Sequence, residues 1–425
     1  MSGLVSPSLM GSCGVVPLTI IGPLSDICRH MSNCIARAEK EVILLTAYWT
    51  NSSNSRFLTN AMKELSRRAG LRGSKVVMKM MYDRGNPKQF VNNRQLVSTK
   101  EAMSSKIGLP GPEEIPNIDL QVLNYHRPVA GTMHSKFMIV DRKFALLESN
   151  NIEDNDNLEM MVRFEGPIVD SFFDMALIAW NIALVPQLPM LDTPAASQVP
   201  CFPFAGAKHR SKDSVWSSQG DTARAEESSD KFLPEHTPDD PHHDADIVAE
   251  IARITASLTP RADETRRECV SRHLNSASSP DIIGDAPEWD EEHHMTPYIL
   301  HPPHEPFPMA MVNRKPWGPL NHSSAYTPQN VAFLAALENA EQSIFIQTPD
   351  LNAEHLLEPL LDAIRRGVIV TCFLCLGYND AGQLLPFQNG INEMICNRLY
   401  NSLSNDEEKS RLRPKLSDKP QAAET

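Results

Sequence analysis

Two stretches of the chain carry the same order of short apolar runs and helically spaced apolar positions. Ala38-Glu39 followed by Val42-Ile43-Leu44-Leu45-Thr46 matches Ala340-Glu341 followed by Ile344-Phe345-Ile346-Gln347-Thr348 at a spacing of 302. Each run reads as a short buried strand. Apolar residues then recur at 57, 58, 61, 62 and 65 in the first stretch and at 356, 357, 360, 361 and 364 in the second. That i, i+1, i+4, i+5, i+8 spacing predicts a helix with one buried face. Arg67-Arg68 and Arg365-Arg366 stand where cations suit the negative end of a helix dipole. Pro359 predicts that the second helix begins only near Glu358. Strands over Val76 to Tyr82 and Val368 to Leu376 complete each stretch, the spacing there being 292. Strand, helix, strand, twice over, predicts two related α/β units.

Outside these stretches, Phe172, Ala176, Ile178 and Trp180 read as core positions of a helix after Pro167, and Tyr326-Thr327-Pro328 as the start of another. The most apolar long stretch, Met175 to Leu191, is broken by Asn181, Pro186, Gln187 and Pro189, so no transmembrane helix is expected. The run Gly14 to Leu24 has no basic residue before it and contains Pro17 and Pro23, which makes a poor secretory signal.

Charge divides the chain further. Overall, 40 basic residues against 53 acidic ones give 40 − 53 = −13 over 425 residues, which argues against coating nucleic acid through bulk charge. From Asn51 to Gly108, 12 basic residues oppose Glu64, Asp83 and Glu101, giving +9. From Asp221 to Glu292, 19 acidic residues oppose 7 basic ones, giving −12. The acidic stretch is rich in Ser, Pro and His and reads as mostly disordered, with one short helix around Ile247 to Leu258 and no role for His242-His243 or His293-His294. The expected organisation is an N-terminal segment (1–30), a first repeat (31–188), an acidic, largely disordered insert (189–325), and an incomplete second repeat with a polar tail (326–425). The eight cysteines lie too far apart for a compact disulfide framework and read as reduced thiols of a cytoplasmic protein. Cys372 and Cys375, three apart in a strand, face opposite sides and form no metal pair.

The chemistry concentrates in His134-Ser135-Lys136-Phe137-Met138-Ile139-Val140-Asp141 and the residues that follow. Phe137 to Val140 and Phe144 to Leu147 predict a hairpin around Asp141-Arg142-Lys143. His134 and Lys136, two apart, then share a face, as do Ser149 and Asn151 beyond the next strand. An imidazole beside a permanent cation suits a phosphate ester under attack: the ring nitrogen is the nucleophile, and Lys136 offsets charge on the non-bridging oxygens. Ser149 and Asn151 would donate to those oxygens, and Asp141 or Glu159 would hold the ring tautomer from behind.

These residues resemble the phospholipase D superfamily signature, H-x-K-x4-D followed by G-S-x-N. His134, Lys136, Asp141, Ser149 and Asn151 match, and Asn157-Leu158-Glu159 is similar to the family's N-x-E; Glu148 stands where the family has glycine. In a chain of this composition H-x-K-x4-D alone would arise by chance only about 0.04 times. The resemblance covers about Ile35 to Leu188 and Pro328 to Ser402, and after Asp141 it looks most like cardiolipin-synthase-like members. It implies two α/β repeats sharing one site, a phosphohistidine intermediate, hydrolysis or transfer of a phosphatidyl group at a membrane surface, and no metal or cofactor. No second H-x-K occurs in the chain. By either spacing the counterpart of His134 would fall beyond residue 425, at 134 + 292 = 426 or 134 + 302 = 436, and the polar residues after Ser402 are expected to supply no further strand. Three readings stay open: a truncated two-motif enzyme, a homodimer that brings two copies of His134 together, and a binder that keeps only the phosphate cradle. Phospholipid is favoured over nucleic acid by the net charge, while the +9 segment keeps a nuclease reading in play.

Overall fold

The computed structural model describes residues 12–85, 89, 92–126, 133–197, 236–275, 296–313, 327–377, 380–384 and 389–418. They divide into an N-terminal unit, Pro7–Met311, and a C-terminal unit from Val312 onward.

The N-terminal unit runs β1 (Ser12–Pro23), α1 (Leu24–Ala36), β2 (Glu41–Leu45), α2 (Ser53–Leu71), β3 (Val76–Tyr82), β4 (Arg94–Leu96), α3 (Thr99–Ala102), β5 (Ile118–Tyr125), β6 (Phe137–Val140), β7 (Phe144–Glu148), β8 (Leu158–Glu165), α4 (Ile168–Trp180), α5 (Ile247–Ser257), α6 (Arg266–Leu274), β9 (Tyr298–Leu300) and β10 (Phe307–Met309). Its ten strands form one sheet in the order β10-β1-β8-β7-β6-β2-β3-β5-β4, with β9 also paired to β1. β2, β3 and β5 are parallel, as strand–helix–strand connections require, and β6, β7 and β8 alternate in direction. The ends of β2, β3, β5 and β7 and the starts of β6 and β8 therefore lie along one edge of the sheet. Both faces are covered. Helices α1 and α2 pack Ile27, Met31, Ile35, Leu58, Met62 and Leu65 against one face; α4 packs Phe172, Phe173, Ala176 and Trp180 against the other. With both faces buried, β2 and β3 are apolar almost throughout.

The five expected core positions of α2, from Phe57 to Leu65, are all buried, and Ser52 caps the helix in a reciprocal box with Ser55. In α4 the expectation holds for Phe172, Ala176 and Trp180, whereas Ile178 is exposed. The expected hairpin turns at Asp141 and Arg142, with φ of 49° and 51° and Lys143 N–H bonded to Val140 O at 2.9 Å.

Two boundaries differ from the sequence reading. The segment set apart as 1–30 contributes β1, paired with β8, β9 and β10 inside the sheet, because Leu18, Ile20 and Leu24 pack into the core under α1 and α2. The stretch read as disordered is ordered over 236–275. Asp244 accepts from Arg29, Arg253 and Asn33, Glu250 binds His30 on α1, and His273 binds Asp26. Its acidic side chains thus find partners on the first helix, which composition alone could not reveal; residues 198–235, 276–295, with His293-His294, and 314–325 of the insert lie outside the described residues. His301 and His304 likewise pack onto β1, at Thr19 Oγ1 and Val16 N.

The C-terminal unit runs α7 (Pro328–Asn339), β11 (Ser343–Thr348), α8 (Glu354–Arg365), β12 (Ile369–Leu376), α9 (Asp380–Gln383), α10 (Asn392–Asn401), α11 (Asp406–Arg411) and β13 (Leu412–Asp418). Thr327 caps α7 with Pro328 in its first turn, as expected. Helix α8 begins at Glu354, earlier than Pro359 implied: the proline sits inside its early turns, and Leu357, Leu360, Leu361 and Ile364 hold the helix on the core. The repeat is visible in register. Val42 pairs with Met78 in the first unit and Ile344 with Val370 in the second, positions separated by the 302 and 292 read from sequence. Met78 pairs in turn with Leu120, and Val370 with Leu412, 292 further on. The polar tail therefore does supply a third parallel strand, β13, contrary to the expectation that nothing after Ser402 would.

Candidate active site

The shared sheet edge gathers the residues singled out by sequence. His134 and Lys136 lie in the segment leading into β6, Ser149 and Asn151 just past β7, and Asn157 and Glu159 at the start of β8. The hairpin register continues beyond the strands, Glu148 N–H bonding to Lys136 O at 3.0 Å and Ser149 N–H to Met160 O at 2.9 Å. The loop after β7 is fixed to the β2–α2 connection. Ile152 N–H bonds Tyr48 O and Thr50 N–H bonds Ile152 O, both at 3.0 Å, and Asp154 accepts Ser53 N–H and Asn54 N–H at 3.0 Å. Asp154 thereby places a carboxylate on the positive end of α2.

Lys136 is buried and His134 exposed. Lys136 Nζ stands 3.3 Å from both His134 Nδ1 and His134 Nε2, and donates to His134 O at 3.1 Å. Equal distances to the two ring nitrogens put the ammonium over the ring rather than along either lone pair. Burial pushes Lys136 down to about 8, against the pull of Glu159, Glu148 and Glu153.

Ser149 hydroxyl donates to Glu159 Oε2 and accepts Met160 N–H at 2.8 Å. Asn151 Nδ2 donates to Glu153 Oε1 at 2.7 Å, and Asn157 Nδ2 to Glu159 Oε1 at 3.4 Å. The donors read as a phosphate cradle are thus directed at two carboxylates, and Glu153 is a site residue that the sequence reading missed. Its signal was its spacing, two residues past Asn151 in the same loop.

Asp141 lies elsewhere. It sits at the opposite end of β6, its carboxylate accepting Glu39, Lys40 and Glu41 N–H at 2.8, 2.7 and 2.9 Å. The reading of Asp141 as a carboxylate behind the ring is therefore corrected: it ties the turn of one hairpin to the start of β2. Glu148, which stands where the family has glycine, sits between Leu147 and Ser149 with its side chain in the core. Its side chain is buried with neither oxygen hydrogen-bonded, and burial raises its pKa well above the ordinary carboxylate value, against the pull of His30 and Lys136, which favours the neutral form.

One further pair stands at this edge. Asp83, at the end of β3, accepts from His126 Nδ1 at 2.6 Å and from Met133 N–H, next to His134, at 2.8 Å. Among the described residues no group of three or more His, Cys, Asp or Glu could hold a metal ion, and no helix is long and apolar enough to cross a membrane.

No protein-family model matches the sequence, and no curated protein matches it. Solved structures to which the chain is similar include NucT from Helicobacter pylori, at 15% identity over 39% of this chain and 98% of that one, with a TM-score of 0.26. Nuc from Salmonella typhimurium, a phospholipase D family member, is 21% identical over 38% of this chain and 93% of its own, TM-score 0.25. Phosphatidylserine synthase from Haemophilus influenzae is 11% identical over 96% of this chain and 75% of its own, TM-score 0.46. The structural neighbours of this α/β chain thus include phospholipase D family members, at low sequence identity and low TM-score.

Proposed function

We propose that the chain is a phospholipase D-like phosphodiesterase that hydrolyses or transfers a phosphatidyl group through a phosphohistidine on His134. The observation that carries this reading is the buried Lys136 ammonium 3.3 Å from both ring nitrogens of His134, on an edge shared with Ser149 and Asn151. A ring nitrogen attacks phosphorus, the P–N bond forms, and the bond to the leaving alcohol breaks. Water or a second alcohol then displaces His134. Lys136 offsets charge on the non-bridging oxygens through both steps. Ser149 O–H and Asn151 N–H turn to the phosphate, whose oxygens take the positions now held by the Glu159 and Glu153 carboxylates.

Two observations favour lipid over nucleic acid. Leu147, Leu158 and Met160, which flank Ser149 and Glu159 in sequence, are 42%, 49% and 48% exposed, an apolar rim suited to acyl chains. The basic segment from 51 to 108, meanwhile, is largely engaged within the unit. Arg67 and Arg68 bind Glu64, Lys63 binds Glu114, Lys75 binds Asp119, and Arg56 is held by Asp239 O of the acidic insert.

The test is release of head group from mixed phospholipid vesicles by the purified chain, beside His134→Ala and with DNA substrates in parallel. Turnover of vesicles that disappears with His134 is expected. Equal silence of the two proteins on every substrate would overturn the catalytic reading and leave a phosphate-binding role; turnover of DNA alone would replace the lipid by a nucleic acid.

A further inference from the structure

Away from the His134 edge, α1 carries a nucleophile and a base in line with a carboxylate of α5. Cys34 Sγ lies 3.6 Å from His30 Nε2, and His30 Nδ1 lies 2.6 Å from Glu250 Oε1 of α5. With Nδ1–H directed at Glu250, Nε2 is the nitrogen that faces the thiol. Thiol, imidazole and orienting carboxylate, each in reach of the next, form the arrangement that activates a cysteine.

The group is not sealed in the core. Cys34, His30 and Glu250 line a cavity of about 150 Å3, at the end of the sheet where Asp141 turns the hairpin. The cavity is also lined by Arg37, Lys143 and Arg163. Arg37 spends its hydrogen bonds on the neutral carbonyls of Asn33 and Asp244. Lys143 is half exposed, 3.2 Å from an equally exposed Glu39, and Arg163, bound to Glu165, stacks on Phe144. Among the lining residues, three permanent cations and the imidazole face two carboxylates, Asp141 and Glu250. Asp141 is already bound to three backbone N–H groups. The cavity therefore favours an anion.

From this geometry we infer that Cys34, His30 and Glu250 form a second reactive site, a nucleophilic thiol that takes small anionic electrophiles. His30 Nε2 takes the Cys34 S–H proton, sulfur forms a bond to the electrophilic carbon, and the leaving group departs with the electron pair of the broken bond. Glu250 is a positioning residue that holds the ring and stabilises the imidazolium. Its place on the insert makes the site depend on docking of residues 247–257, so the thiol reports whether the insert is seated. None of this requires the phosphohistidine chemistry.

Iodoacetate and iodoacetamide test the inference, because they deliver the same carbon with and without a negative charge. Trypsin separates Cys34, in the peptide from His30 to Arg37, from Cys28, so alkylation is read at Cys34 alone by mass spectrometry of the full chain. Cys34 is expected to react at least tenfold faster in the native chain than in His30→Gln, and to favour iodoacetate over iodoacetamide several-fold more than free glutathione does. Lys143→Gln, a change at an exposed side chain, should lower that preference and leave the iodoacetamide rate within twofold. His134→Ala should change neither. Because His30→Gln disturbs a buried pair, the Lys143→Gln comparison stands independently of it. Alkylation of Cys34 only when the chain is unfolded, or a charge preference equal to that of glutathione, would overturn the inference.

Discussion

Asp141 offers the sharpest separation of framework from chemistry. In the motif it looks like a catalytic carboxylate; in the fold it is a clasp. Replacing it by alanine strips three N–H groups of their acceptor. That of Glu41 is buried and costs about 1–3 kcal/mol when left unmet. Those of Glu39 and Lys40 are partly buried and can turn to water, losing about 0.5–1.5 kcal/mol each. Alanine also tolerates the φ of 49° less well than aspartate does. The sum is about 4 kcal/mol, or a fall in Tm of roughly 8–16 °C for a unit of this size. Asp141→Asn keeps one acceptor oxygen and the left-handed backbone, and should cost only about 1 kcal/mol. Urea unfolding followed by circular dichroism measures both variants, and head-group release measures the turnover of what remains folded. Asp141→Asn should be folded and active, Asp141→Ala less stable and active in proportion to its folded fraction. A loss of turnover in either variant with an unchanged urea midpoint would show that the carboxylate acts in the reaction and that its place at the far end of β6 misleads.

Three further outcomes follow from the buried charges. Lys136, held at about 8, is a cation below that pH and loses its proton above it, so kcat/KM should fall as pH rises through about 8; in Lys136→Arg that limb should vanish, and an unchanged limb would assign it to another group. Burial favours the neutral form of Glu148, so Glu148→Gln should keep stability within about 1 kcal/mol and turnover within a few-fold in the same assays, whereas inactivation of a folded Glu148→Gln would show that the acid ionises. Burial raises Glu41 to about 7, above its unfolded value, so its protonated form contributes stability that is complete below the ordinary carboxylate range and lost as pH rises through about 7. Wild type should therefore lose stability relative to Glu41→Gln as pH rises across that window, and a difference flat with pH would refute the assignment.

The fold was legible wherever burial repeats along the chain. The matched runs at 42 and 344, and at 76 and 368, became paired parallel strands in the same register; β2 and β3 are buried on both faces and announce themselves by being apolar almost throughout, whereas β11 and β12 bury one face and leave Phe345 and Phe373 exposed on the other. Two kinds of segment were not legible. β13 has charged and polar residues, Arg413 and Lys415 among them, and is a strand because β12 offers it a ladder rather than because its own pattern asks for one. Helix α5, within the acidic stretch, buries Glu250, which in isolation reads as a solvated charge; it is His30, 220 residues away, that offsets the cost of its burial.

The site shows the same division at the level of single side chains. Residue type and spacing located His134, Lys136, Ser149 and Asn151, since in a hairpin residues two apart share a side and the register is set by the strands themselves. Protonation and partnership depend on neighbours remote in sequence and could not be read so. Glu148 is the clearest case. As an anion beside Ser149 it would pair with Lys136 and withdraw the one cation placed over His134. Beside α1, with neither oxygen hydrogen-bonded, its burial favours the neutral form over the pull of His30 and Lys136, and the ammonium stays with the imidazole. The departure from glycine therefore replaces a small residue by an acid whose burial favours the neutral form and leaves the Lys136 ammonium beside His134, which is why a glutamine, equal in shape and incapable of ionising, is the substitution that decides it.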